Sequence, residues 1–182
     1  MADITASSQV KHAVEADGGA ASATHDREPI WDIIELLFFA YRDFVGDPDH
    51  VLEALGFGRA HHRVLHFVNR NPGMKVADLL DILRITKQSL GRVLKQLIDQ
   101  GYIVQREGPQ DRRQRLLFVT PKGESLAMRL ADLQTVRILR ALDEAGAGAH
   151  DSARRFLSAM IEPRDRERVL RLVANRTSDR KT

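Results

Sequence analysis

Apolar side chains recur every three or four residues over most of this chain, and one short stretch near its middle changes to a period of two. Pro29 opens the first predicted helix, since its missing N–H is harmless in a first turn. Ile30, Ile34, Leu37, Tyr41 and Phe44 mark its stripe, and Gly46 predicts its end. Ile33, Leu36, Phe38 and Val45 spread the apolar surface nearly all round, so the helix needs cover on several sides. In a chain of 182 residues a partner subunit is a ready source of that cover. Residues 49–55 predict a separate short helix before Gly56 and Gly58. A further helix over about Arg59 to Arg70 carries Ala60, Val64, Leu65, Phe67 and Val68. Asn71-Pro72-Gly73 is a turn signal, after which Val76, Leu79, Leu80 and Leu83 mark a short helix.

Thr86 is a good N-cap for the next one. Leu90, Val93, Leu94, Leu97 and Ile98 form one face of it, and Gly101 ends it. The opposite face carries Gln88, Arg92, Lys95 and Asp99, with Ser89 and Gln96 beside them. Tyr102–Glu107 then reads as a strand, 108–111 as a loop, and Leu116–Val119 as the return strand. The result is a hairpin with Arg112, Arg113 and Arg115 at its tip. Thr120-Pro121 begins a long helix with Leu126, Leu130, Leu133 and Leu142 along it, and Gly146 and Gly148 break it near Ala145. Helices over about 151–161 and 163–174 follow. Residues 1–28, rich in Ala, Ser, Gly and Asp, predict a disordered tail, and 175–182 a frayed one.

Helix, turn, polar-faced helix and basic hairpin, in that order, make a winged helix-turn-helix. A helix entering a major groove needs one face anchored in a core and the other free for base edges and phosphates. Gln88 suits an adenine edge, Arg92 a guanine edge, and Ser89 either; Lys87 and Lys95 suit phosphate. Arginines on a wing suit a minor groove. Charge supports the placement. From Arg84 to Arg115 eight basic residues face three acidic ones, a net +5, within a chain whose formal net charge is +3. An ordinary amphipathic surface helix accounts for the 87–99 pattern taken alone. It does not account for the order of elements.

The run Ile85-Thr86-Lys87-Gln88-Ser89-Leu90-Gly91-Arg92-Val93-Leu94, then Leu97 and Gly101-Tyr102-Ile103, resembles the recognition helix of the MarR family of bacterial transcription regulators. Asp111-Arg112-Arg113 and Leu117-Phe118-Val119-Thr120-Pro121-Lys122-Gly123 are similar to that family's wing and the start of its long dimerisation helix. The resemblance runs from about Ile30 to Ile161. It implies a mainly α fold with a small β-hairpin wing, an obligate homodimer acting on a pseudo-palindromic operator, and a pocket for a small-molecule effector. It implies a wing arginine, Arg113, in the minor groove, oriented by Asp111. The expected organisation is a dimerisation helix and connector over 29–58, a winged DNA-binding lobe over 59–120, and C-terminal dimerisation helices over 121–174. Two features depart from the family. Met74-Lys75 stands where a Ser or Thr cap is usual, and the helix at 163–174 is extra. A solvated terminal helix is the simplest expectation for that extension, against a longer dimer interface or DNA contacts through Arg164, Arg166, Arg168 and Arg171.

Other chemistry finds little support. The chain has no cysteine, which removes thiolate and disulfide chemistry and fits a cytoplasmic location. No apolar run reaches membrane-spanning length, so no membrane partner is expected. The first residues lack a signal-peptide pattern. No nucleophile elbow, phosphate loop or dinucleotide-binding pattern occurs, so neither an enzyme nor a cofactor is expected. His62 and His66, four apart on one helix, are weak metal-ligand candidates, and His61 is expected to pack. Trp31, Phe38 and Phe39 read as core rather than as a cofactor slot. A metal-binding protein using the His61/His62/His66 cluster, and a winged helix serving only as a protein–protein module, are the alternative readings.

Overall fold

The computed structural model describes residues 28–109, 111 and 113–174; the expected terminal tails and Arg112 lie outside them, apart from Glu28. The elements are α1 (Trp31–Glu53), α2 (Arg59–Arg70), β1 (Met74–Lys75), α3 (Val76–Leu83), α4 (Lys87–Asp99), β2 (Ile103–Glu107), β3 (Arg115–Val119), α5 (Pro121–Ala145), α6 (Ala149–Met160) and α7 (Pro163–Ala174). The chain is mainly helical with one small antiparallel sheet, ordered β1-β3-β2. The described residues divide into two units, 28–37 and 38–174. The described part of the first is residues 28–30 and the start of α1, where Ile30, Trp31, Ile33, Ile34 and Leu36 are exposed.

The second unit holds the core. Leu52, Val64, Leu65, Leu79, Leu90 and Leu97 are among its fully buried side chains, drawn from α1, α2, α3 and α4. Ile103, Leu117 and Leu130 extend it through the sheet into α5. Trp31, Phe38 and Phe39, expected in a core, are instead exposed in the single chain.

α1 overrides two local signals. It runs through Gly46 and Pro48 to Glu53, so no separate helix forms at 49–55. An interior Gly costs about 1 kcal/mol and an interior Pro about 3 kcal/mol. Val45, Pro48 and Leu52 fall on one helical face and are all buried. Burying a Val or Leu returns about 1.5–3 kcal/mol each, which is of the same size as the local penalty.

Met74-Lys75, which stands where a Ser or Thr cap is usual, forms β1, with Met74 opposite Leu117 and Lys75 opposite Leu116. Gly73 begins this pairing by donating its N–H to the Leu117 carbonyl at 2.9 Å. Lys75 then precedes α3 without a capping hydroxyl, and its N–H donates to Asp78 Oδ2 at 3.3 Å. Aspartate in a first turn also opposes the helix dipole favourably.

The helix at 163–174 is not a free solvated appendage. Arg84, at the end of α3, pairs with Asp165 of α7, and Asp81 of α3 pairs with Arg168. Arg70 of α2 donates to the Val173 carbonyl at 3.4 Å. No side chain of α7 is fully buried, although Val169, Leu170 and Leu172 are partly covered. Its charged side chains reach α3 through the two ion pairs.

Candidate nucleic-acid interface

The sequence from Thr86 to Asp99 sets the orientation of α4. The Thr86 hydroxyl oxygen accepts the Ser89 N–H at 3.1 Å, satisfying one of the helix's unpaired donors. Leu90, Val93, Leu94 and Leu97 are buried beneath the helix. Lys87, Gln88, Ser89, Arg92 and Lys95 all emerge on the exposed side. The predicted polar face is therefore presented as one surface, with the apolar face held chiefly against α2 and β2.

Those side chains are not equally free. Ser89 Oγ accepts the Thr86 hydroxyl at 2.9 Å, which leaves its own proton to donate. Lys95 pairs with Asp99 at 2.5 Å, an exposed pair worth about 0.3–0.5 kcal/mol and easily exchanged for a phosphate. Neither Lys87 nor Arg92 has an ion-pair partner among the described residues. Gln96, which shares the exposed side, turns inward at its tip. Its Oε1 accepts from His61 Nε2 at 2.7 Å. His61 Nδ1 in turn accepts the Gly58 N–H at 3.1 Å, so the ring is a neutral Nε2–H tautomer. The imidazole stacks on Phe57 with centroids 4.7 Å apart. His61 thus packs as expected and braces α2 against α4. Nothing in the local sequence distinguishes Gln96 from its neighbours; only the approach of α2 selects it.

The wing is the hairpin of β2 and β3, in register from Ile103 opposite Val119 to Glu107 opposite Arg115. Arg115 meets Glu107 across the strands at 3.1 Å, with both side chains about half exposed. Arg106 lies over the Phe118 ring, 4.8 Å from its centroid. At the tip, Asp111 Oδ1 accepts the backbone N–H of Arg113 at 2.9 Å, and the Asp111 carbonyl accepts the Gln114 N–H at 3.0 Å. Asp111 therefore acts on the turn itself, through the backbone of Arg113. Such a bond from an Asp side chain to the N–H two residues on is an Asx-turn. Arg113 is exposed at the tip.

The base of the wing is locked to α5. The Thr120 hydroxyl donates to the Gly101 carbonyl at 2.7 Å and accepts the Gly123 N–H at 3.1 Å. Lys122 reaches the Gln100 carbonyl at 2.9 Å. Gly123 sits so near Tyr102 that a β-carbon there would lie 2.0 Å from its carbonyl oxygen.

A cleft of about 1210 Å³ lies between α7 and the α2–α3 region, lined by Phe67, Ile82, Val169 and Leu172 and by His66 and Arg70. His62 and His66 both have their pKa held below the ordinary imidazole value. Desolvation is the main cause for each, although His66 as a residue keeps substantial exposure to solvent whereas His62 is half-buried. For His66 the positive charges of His62 and Arg70 add to it, whereas for His62 the Asp49 carboxylate opposes it. Among the described residues, no group of three or more His, Asp or Glu side chains is placed to hold a metal ion.

Residues 55–114 match the family model described as MarR family. Over 148 residues the chain is 45% identical to the HTH-type transcriptional regulator PetP of Rhodobacter capsulatus, an alignment covering 81% of this chain and 89% of that protein. A MarR family regulator from Listeria monocytogenes, solved with a 26mer DNA, superposes with a TM-score of 0.63 at 19% identity, covering 80% of this chain and 95% of the other. A Mycobacterium tuberculosis MarR family protein in complex with salicylic acid gives 0.53 at 22% identity, covering 74% and 98%. At such identities the two structures speak to the fold alone.

Proposed function

Since this chain belongs to the MarR family of transcription regulators, we propose that it works as a homodimer that binds double-stranded DNA at a pseudo-palindromic operator in the cytoplasm, without enzymatic activity. The carrying observation is the presentation of α4. Its apolar face is sealed into the core while Lys87, Gln88, Ser89, Arg92 and Lys95 stand outward, on a lobe that also bears the Arg113 and Arg115 wing. Lys87, Lys95, Arg113 and Arg115 would bind phosphate or the minor groove, and Gln88, Ser89 and Arg92 would read base edges. The same roles extend to Arg112 by its place in the wing sequence.

Dimerisation is supported by what the single chain leaves uncovered. Phe38 in α1 and Val136 in α5 are each 70% exposed, and Leu139, Phe156 and Leu157 are more than 40% exposed. Side chains of this kind in such number mark an association surface. The salicylate complex of the Mycobacterium tuberculosis protein supports modulation by a small organic effector. The cleft beneath α7 is large enough for one.

The test is selection of bound fragments from genomic DNA, followed by footprinting and sedimentation of the full chain. Two protected half-sites about 10 base pairs apart, bound by two copies, are expected. A single isolated half-site, a folded monomer, or equal affinity for every sequence overturns the reading.

A further inference from the structure

Asp81 and Arg84 lie one turn apart at the end of α3, and Asp165 and Arg168 lie one turn apart at the start of α7. The charges are crossed: Arg84 pairs with Asp165, and Asp81 with Arg168. The two helices therefore run antiparallel along a double ionic contact. Asp165 is its centre, only 20% exposed at the side chain. It also lies 3.6 Å from Arg168 and 3.9 Å from Arg164.

Arg84 is a telling place to hold. It is the one non-glycine among the described residues with a positive φ, 51°, and it caps α3 three residues before α4 begins. A left-handed residue of this kind persists where its surroundings fix it. Its side chain is turned to α7 rather than towards the polar face of α4. At the other end, Arg166 donates to the carbonyls of Ala159 at 2.7 Å and Ile161 at 3.0 Å, fixing the corner between α6 and α7. A continuous path thus runs from α6 through α7 to the turn that launches α4.

We propose that α7 is a brace for the helix-turn-helix, in which Asp165 and Arg168 are positioning residues that hold Arg84 and α3 and so set the placement of α4 on DNA. This rests on the DNA-binding reading above. Movement of the α5–α6 pair would reach α4 through this contact, which gives the extra helix a role in coupling. A double ion pair suits such a task because it can be broken and remade at little cost, unlike a packed apolar contact.

The experiment uses full-length Asp165→Asn, Arg84→Gln and the double variant. Affinity is measured on the selected operator and on scrambled duplex, and amide hydrogen exchange is followed across residues 84–99 of the free protein. Asp165→Asn is expected to reduce the operator-to-scrambled affinity ratio by about threefold to tenfold, and the double variant to be no worse than either single one. Exchange at 84–99 should rise while thermal unfolding remains a single transition. Parallel changes on both duplexes would mark a bulk charge effect, and additive effects would mark independent residues; either overturns the brace. If the parent itself shows no sequence preference, the DNA reading fails, and unchanged exchange in Asp165→Asn would overturn the brace separately.

Discussion

Gly123→Ala sets two effects of known sign against each other. In the first turn of α5, alanine is the better helix former by about 1 kcal/mol. Its β-carbon, however, would lie 2.0 Å from the Tyr102 carbonyl oxygen and 2.9 Å from the carbonyl carbon. Both neighbours are backbone, so no rotamer can step aside. Relief to an ordinary contact near 3.4 Å needs a displacement of about 1.4 Å between α5 and the base of the wing. That joint is pinned by the Thr120 hydroxyl on Gly101, the Thr120 N–H on Tyr102 and Lys122 on Gln100. Breaking two or three such bonds costs about 1 kcal/mol each, and backbone overpacking adds about 1–3 kcal/mol. Net of helix propensity, the variant should lose about 3 kcal/mol, or about 6–12 °C in Tm for a chain of this size. Gly91→Ala is the control. Gly91 is helical, exposed, and has nothing within 4 Å of the added carbon, so it should gain about 0.5–1 kcal/mol. Urea unfolding and calorimetry of the two variants beside the parent decide it. A Gly123→Ala protein as stable as the parent, or stabilised like Gly91→Ala, would refute the tight joint between α5 and the wing.

Arg92→Ala should cost about 1–3 kcal/mol on the operator and relax preference at one position per half-site, read by anisotropy on single-base variants. Lys95→Ala should weaken all duplexes alike and flatten the salt slope by about one charge, while Asp99→Asn, which frees Lys95, should strengthen them alike. Asp111→Ala should weaken DNA binding less than Arg113→Ala does, and Asp111→Asn should restore it, because the role is to accept the Arg113 N–H; failure of Asn to restore binding would assign the role to the carboxylate charge. His62 and His66 titrate below the ordinary value near 6.5, so below that pH the unfolded chain takes up protons more readily than the folded one. Stability is therefore fullest above that value and falls as pH drops through it. Urea melts at about pH 7.5 and about pH 5.5 should show the loss, and His62→Gln should reduce it.

Helix periodicity and caps placed α2 and α7 to the residue and α4 and α5 nearly so, because those segments carry their signals locally. The Thr86 hydroxyl and the Thr120-Pro121 pair act within a few residues of themselves. The outward set on α4 was legible for the same reason: once Leu90, Val93, Leu94 and Leu97 are buried, the helical repeat leaves Gln88, Arg92 and Lys95 no other side. The sequence alone also sufficed for the family resemblance, since the recognition-helix and wing residues are continuous stretches. What it could not determine were effects that join distant residues. Gly46 reads as a helix end, but the buried Val45, Pro48 and Leu52 carry α1 onward to Glu53. Met74-Lys75 shows in sequence only the lack of a Ser or Thr cap, and its strand forms because β3 supplies a partner. Gln96 became a brace when α2 brought His61 within 2.7 Å, across 35 residues of sequence. The arginines and aspartates of α7 read as a solvated face, and each is by itself. Their pairing with Asp81 and Arg84 spans more than 80 residues, and a charge pattern carries no record of which opposite charge the folded chain brings beside it.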